Sequence, residues 1–240
     1  MIDSYFVNTP NGRKVSIMLA ETALPHRLIR GDRGEVDHLS VEFRRINPNA
    51  RLPAIVDHEP MGGGEPFAIF ESGAILIYLA EKTGRFLSLE PRKRHTQLQW
   101  VIWQMAGLGP MHGQAHHFAR YAPDPVDPYA LQRYSREAER LLFVMNRRLG
   151  EAAYLGGEEY SIADMCSWPW INQMNVIDLQ REDFPNVERW FETVAARPGV
   201  VEGCRFALPN LMKEPGRIPL TPEQFSRGFG DIMHAANRKE

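Results

Sequence analysis

Asn49-Ala50-Arg51-Leu52-Pro53-Ala54-Ile55-Val56-Asp57 and, farther on, Phe70-Glu71-Ser72-Gly73-Ala74-Ile75 are the stretches that decide the fold. Pro53 stands between apolar residues at the mouth of a strand. It has no N–H to give to a sheet ladder, so it belongs at an edge or in a special turn. With a cis Leu52–Pro53 bond, the N–H and C=O of Leu52 stay free to pair with an extended peptide. Glu71-Ser72 sits where the short strand Ala68-Ile69-Phe70 turns into an apolar helix from Ala74 to Lys82. A serine hydroxyl, backbone N–H groups and the positive end of the helix dipole converge there, and all three favour a carboxylate. Backbone pairing beside a carboxylate clamp describes a site for a small acidic peptide.

Outward from these segments, residues 1 to about 85 alternate strand and helix signals. Ile2 to Val7 reads as a strand. From Asn11 to about Leu24, Val15, Met18, Leu19 and Ala23 follow helical spacing, and Pro25 is expected to end that helix. His26-Arg27-Leu28-Ile29 gives the next strand, Val41 to Arg45 a turn of helix, Ala54-Ile55-Val56 a third strand and Phe67 to Phe70 a fourth. A helix over 74–83 then closes the unit at Gly84. The order βαβ–α–ββα, with a proline ahead of the third strand, is that of a thioredoxin-like domain.

Pro91 and the cluster Arg92-Lys93-Arg94 mark a linker, after which the pattern is helical throughout. Pro123, Pro125 and Pro128 mark one interhelical loop. Residues 129–149 carry an apolar stripe of Leu131, Tyr134, Ala138, Leu141, Leu142, Met145 and Leu149. Ser161 and Asp164 have capping-box spacing, a feature that supports folding rather than chemistry. The expected division is 1–86 as a thioredoxin-like domain, 87–204 as an all-helical domain and 205–240 as a C-terminal extension. Phe206, Leu208, Leu211, Phe225, Phe229 and Ile232 punctuate that extension, which either docks on the body or a partner subunit or stays mobile.

With 240 residues, 43% of them hydrophobic, the chain has room for one large or two smaller domains. A net charge of −2 gives no reason to expect nucleic-acid binding. The two cysteines, Cys166 and Cys204, are too few for a disulfide framework and suit a reducing cytoplasm. The N-terminus has no basic stretch followed by a long apolar run, so neither a signal peptide nor a membrane span is expected.

The Pro53 and Glu71-Ser72 segments resemble the glutathione-binding half of cytosolic glutathione transferases. Ile2-Asp3-Ser4-Tyr5-Phe6, followed by Thr9-Pro10-Asn11-Gly12-Arg13-Lys14, is similar to the bacterial Nu class, a group linked to glutathione-dependent disulfide exchange. So are Leu98-Gln99-Trp100, Gly107 to Met111, His116-His117-Phe118, and Tyr154 to Gly157 with Ser161 to Asp164. The resemblance spans roughly residues 1 to 205. It implies a thioredoxin-like domain followed by a helical bundle, glutathione as co-substrate, no metal, and a homodimer.

The reactive atom is then the glutathione thiol, whose thiolate is the nucleophile. Thr9-Pro10-Asn11-Gly12 offers a hydroxyl donor, an amide donor and a helix start, whose dipole favours negative charge by about 0.3–1 kcal/mol when exposed. From the residues alone, Thr9 and Asn11 either cap the helix or face the thiol; the resemblance favours the thiol. Position 10 is proline and both cysteines lie in the helical half, so a protein-cysteine mechanism is not expected. Tyr5 is a competing hydroxyl, better placed for a sheet role. The resemblance implies Glu71 and Ser72 for the γ-glutamyl end, Leu52 beside Pro53 for the cysteinyl backbone, and Arg51 and His38 for the glycyl carboxylate. It also brings Arg133 from the helical domain toward glutathione, against a plain surface charge as the alternative.

His112 and His116 share a helix face, but no nearby Cys, Asp or Glu completes a metal shell, so with His117 they read as a pocket wall. Trp100, Trp103, Trp168 and Trp170 read as core and interface bulk. The implied activity is glutathione-dependent thiol–disulfide exchange on a small-molecule or protein disulfide. Transfer of glutathione to electrophiles, hydroperoxide reduction, or a non-catalytic glutathione-binding regulator on the same fold remain open alternatives.

Overall fold

Strand β1 (Ile2–Phe6) lies inside the sheet, parallel to β2 (His26–Arg30) and antiparallel to β3 (Ala54–Asp57). β3 in turn pairs antiparallel with β4 (Phe67–Phe70), giving the order β2-β1-β3-β4. A parallel neighbour demands a crossover, and helix α1 (Pro10–Thr22) provides it. Helix α2 (Val41–Ile46) precedes β3, and α3 (Ser72–Thr83) follows β4. This is the thioredoxin-like arrangement, and the Leu52–Pro53 peptide ahead of β3 is cis. The structure is a computed structural model that describes residues 1–31, 34–205, 216–236 and 238.

Helix boundaries differ from the sequence pattern where caps intervene. α1 starts at Pro10 because Thr9 takes the N-cap, accepting from the Gly12 N–H at 3.3 Å, and proline suits the first helical position. It stops at Thr22, before Pro25 acts, because Ala23 turns left-handed at φ 55° and returns its N–H to Ala20. α3 begins at Ser72 rather than Ala74 and ends on Gly84, whose φ of 63° suits a residue without Cβ.

The second half is helical. α4 (Pro91–Trp103) runs through a π-helical turn (Gln104–Leu108) into α5 (Gly109–Arg120). There follow α6 (Pro128–Glu151), α7 (Ile162–Ile171), α8 (Pro185–Ala195) and α9 (Pro198–Gly203). One apolar cluster joins the two halves, with Val15, Ile55 and Leu76 on the sheet side and Val101, Leu142, Met165 and Trp190 on the helical side. α1 lies between them, packed on α3, α7 and α9, with Gly12 through Leu19 buried without a break. A Cβ on Gly203 would come within 2.6 Å of the Ile17 Cα, so α9 and α1 touch backbone to backbone there.

The C-terminal segment docks on the body. Ile218 donates its N–H to the Arg120 carbonyl at 3.0 Å, and Arg227 pairs with Asp37 at 2.8 Å. Helices α10 (Pro222–Phe229) and α11 (Asp231–Ala236) therefore bridge from the helical half to the sheet half. Phe206, Leu208 and Leu211 lie outside the described residues.

The capping box at α7 does more than close a helix. Buried Asp164 accepts from the N–H groups of Leu155 and Ser161 at 3.0 and 2.9 Å and from Trp190 Nε1 at 2.8 Å. Asp164→Ala strands three buried donors and is expected to cost about 3 kcal/mol or more of stability. Urea unfolding measures this; an unchanged midpoint contradicts it.

Candidate functional site

A cavity of about 820 Å³ opens between the sheet half, the helical half and the C-terminal segment. Thr9, Asn11, His38, Arg51, Leu52, Pro53, Glu71 and Ser72, which the sequence singles out, all line it. Arg133 does not. Its side chain is 54% exposed and pairs with Glu137 at 3.8 Å, one turn along α6. It lies off the apolar stripe that turns Ala138, Leu141 and Leu142 inward, so the helix carries it on the outer face.

At the start of α1, Thr9 is both cap and cavity wall. Asn11 is oriented from across the domain junction by Trp170, whose indole Nε1 lies 3.1 Å from Asn11 Oδ1. An indole N–H can only donate, so the atom facing it is the amide oxygen. Asn11 Nδ2 is left as a donor without a partner among the described residues. Trp170 is thus more than core bulk. Nothing local in the sequence links positions so far apart.

Neither a tyrosine at the sheet nor a cysteine takes this position. Tyr5 packs edge-on against Phe43 at 5.6 Å and does not reach the cavity. Cys166 is buried beside Gln104, and burial pushes its thiol up from the ordinary range.

Glu71 caps α3 at φ 66° and ψ 115°, a region sparsely used by residues with side chains, which costs roughly 1–3 kcal/mol. Its carboxylate has no hydrogen-bond partner among the described residues, while Ser72 beside it is 4% exposed. The N–H and C=O of Leu52 likewise bond to no described residue. Arg51 reaches the C-terminal segment, its Nη2 2.8 Å from Met233 Sδ. A thioether is a weak acceptor for a guanidinium. Phe229 stacks edge-on over His117 at 4.6 Å and closes the cavity from the same side. His38 is half-buried, and burial lowers its pKa.

Three residues here went unassigned in the sequence: Lys14, Gln104 and Met105 line the cavity where the halves meet. The π turn brings the last two inward, an irregularity that often accompanies functional sites. A period-3.6 pattern cannot reveal such a turn.

The glutathione S-transferase N-terminal domain family matches residues 9–82, and the C-terminal domain family matches residues 110–198. The disulfide-bond oxidoreductase YfcG of Escherichia coli (strain K12) is 52% identical over 198 residues, covering 82% of this chain and 92% of its own length. A glutathione transferase from Burkholderia graminis, solved with two glutathione molecules per subunit, superposes with a TM-score of 0.79 at 42% identity, over 85% of this chain and 87% of the other. One from Pseudomonas putida, solved with one glutathione disulfide per subunit, gives a TM-score of 0.79 at 40% identity, over 86% and 91% of the two chains.

Two buried histidines border the site. His112 donates Nδ1–H to the Leu108 carbonyl at 2.9 Å; burial, and then neighbouring His116, push its pKa down to about 3. Burial takes His116, which lines the cavity, down to about 4. In the unfolded chain both titrate near pH 6.5. Below that pH the unfolded state binds more protons, so stability falls as pH drops from about 6.5 toward 4. Each histidine adds a slope of up to about 1.4 kcal/mol per pH unit. Urea titrations across this window are expected to show a shallower slope for His116→Gln than for the wild type. An unaltered slope contradicts the assignment.

Proposed function

The chain belongs to the glutathione transferase family, and from that premise we propose that it is a glutathione-dependent thiol–disulfide oxidoreductase. The observation that carries this is the free amide donor of Asn11, held by Trp170 beside Thr9 at the start of α1. Such a donor set stabilises a thiolate supplied by the ligand and commits no protein nucleophile. The oxidoreductase name of the Escherichia coli relative and the glutathione disulfide bound by the Pseudomonas putida relative support it.

Glu71 and Ser72 take the γ-glutamyl amino and carboxylate groups, and the Leu52 backbone pairs with the cysteinyl residue. Arg51 and His38 face the glycyl carboxylate, for which Met233 yields its contact with Arg51. Arg133 is left out of the set. The bound thiolate attacks one sulfur of the substrate disulfide, forming a glutathione mixed disulfide and expelling the other sulfur as a thiolate, which is then protonated. A second glutathione thiolate attacks the glutathione sulfur of that mixed disulfide. The second substrate thiol leaves, and two electrons have passed from two glutathiones to the disulfide.

The dipole at the helix start and the Asn11 bond both favour the charged thiol, so the bound thiol titrates below its ordinary value near 8.5. A hydrogen bond to a charged group contributes about 1.5–3 kcal/mol, so Asn11→Ala is expected to slow disulfide reduction about 10- to 100-fold. Its glutathione affinity, set by the peptide clamp, is expected to change much less. Steady-state kinetics and calorimetric binding on the same variant separate the two; equal losses in both contradict the role of Asn11.

A further inference from the structure

Lys14 is 1% exposed yet lines the cavity. Its Nζ lies 2.7 Å from Gln104 Oε1, 3.3 Å from Met105 Sδ and 3.4 Å from Ser72 Oγ. These three partners, and the buried Cys166 thiol beside them, are neutral. Lys14 forms no ion pair with any described residue. A buried ammonium among neutral acceptors is costly, and an apolar side chain of similar volume would fill the position without that cost. The need for a charge here therefore comes from what enters the cavity.

The hydroxyl of Ser72 shows how. Its oxygen accepts from Lys14, and its own proton, which faces only the weak acceptor Met105 Sδ at 3.6 Å, can turn to a stronger one. Ser72 is the first residue of the twelve-residue helix α3, where the helix dipole also favours an anion. An ammonium, a hydroxyl and a helix start thus meet at one wall of the cavity.

We propose that Lys14 is a positioning residue for the γ-glutamyl carboxylate of glutathione, acting through Ser72 and supplying the positive charge that the carboxylate needs. The inference rests on the glutathione assignment above and deepens it. The titratable groups that face Lys14 are Glu71, the cap of α3, and Cys166 on α7; the π turn presents only neutral Gln104 and Met105. Burial lowers the pKa of Lys14 and outweighs the raising influence of Cys166 and Glu71. A carboxylate ligand prefers the ammonium, so affinity is high below the pKa of Lys14 and declines as pH rises through it.

The test is calorimetric binding of S-methylglutathione, whose blocked thiol does not titrate, to the full chain across the pH range in which the chain stays folded. The wild type is expected to bind more weakly above the pKa of Lys14 than below it. Lys14→Met is expected to bind at least about tenfold more weakly at the acid end and to lose the pH dependence. Lys14→Arg keeps a charge that does not titrate in this range, so it is expected to bind more tightly than Lys14→Met. Lys14→Gln serves in place of the methionine variant if that chain does not fold, and Cys166→Ala, with the wild-type profile retained, assigns the titration to Lys14. A folded Lys14→Met or Lys14→Gln with wild-type affinity and pH profile overturns the inference alone. No binding by the wild type overturns the glutathione assignment and this inference with it.

Discussion

Burial of helix α1 between the sheet half and the helical half is the constraint on which the rest of the molecule depends. Gly12 through Leu19 are buried without interruption among α3, α7 and α9. Such a helix cannot turn about its axis or slide without opening the core of both halves. Two glycines hold the fit: a Cβ on Gly12 would strike the Val7 carbonyl at 2.1 Å, and one on Gly203 would strike the backbone of Ile17. The start of α1 is therefore fixed relative to Trp170, and the Asn11 amide inherits its orientation from domain packing.

A polar seam accompanies the apolar one. Lys14, Gln104, Cys166 and Ser72 join α1, the π turn, α7 and α3 through hydrogen bonds buried at the junction. Each bond contributes little net stability, but leaving any donor or acceptor unpaired there is costly. The seam thus ties the geometry of the cavity floor to correct docking of the halves. The strained backbone of Glu71 fits the same pattern, because α3 and β4 hold it on either side.

The parts of the fold governed by neighbouring residues were legible in the sequence. Short apolar runs marked the four strands, the stripe from Leu131 to Leu149 marked α6, and Ser161 with Asp164 marked the start of α7. Boundaries slipped by a residue or two where a cap won over periodicity, as at Thr9 and Ala23. What stayed hidden was nonlocal. Trp170 meets Asn11, Gln104 meets Lys14, and Met233 meets Arg51 only through the tertiary fold. Arg133 illustrates the converse, since likeness to a family brought it toward the site while the face of α6 it occupies carries it outward.

In the proposed reaction the cavity activates a glutathione thiolate for attack on a disulfide. The most direct test is steady-state reduction of a small disulfide by glutathione, followed through NADPH consumption by coupled glutathione reductase. Turnover well above the uncatalysed exchange rate, saturating in glutathione, is expected. Exchange at the background rate, with folded protein and saturating glutathione, would contradict it.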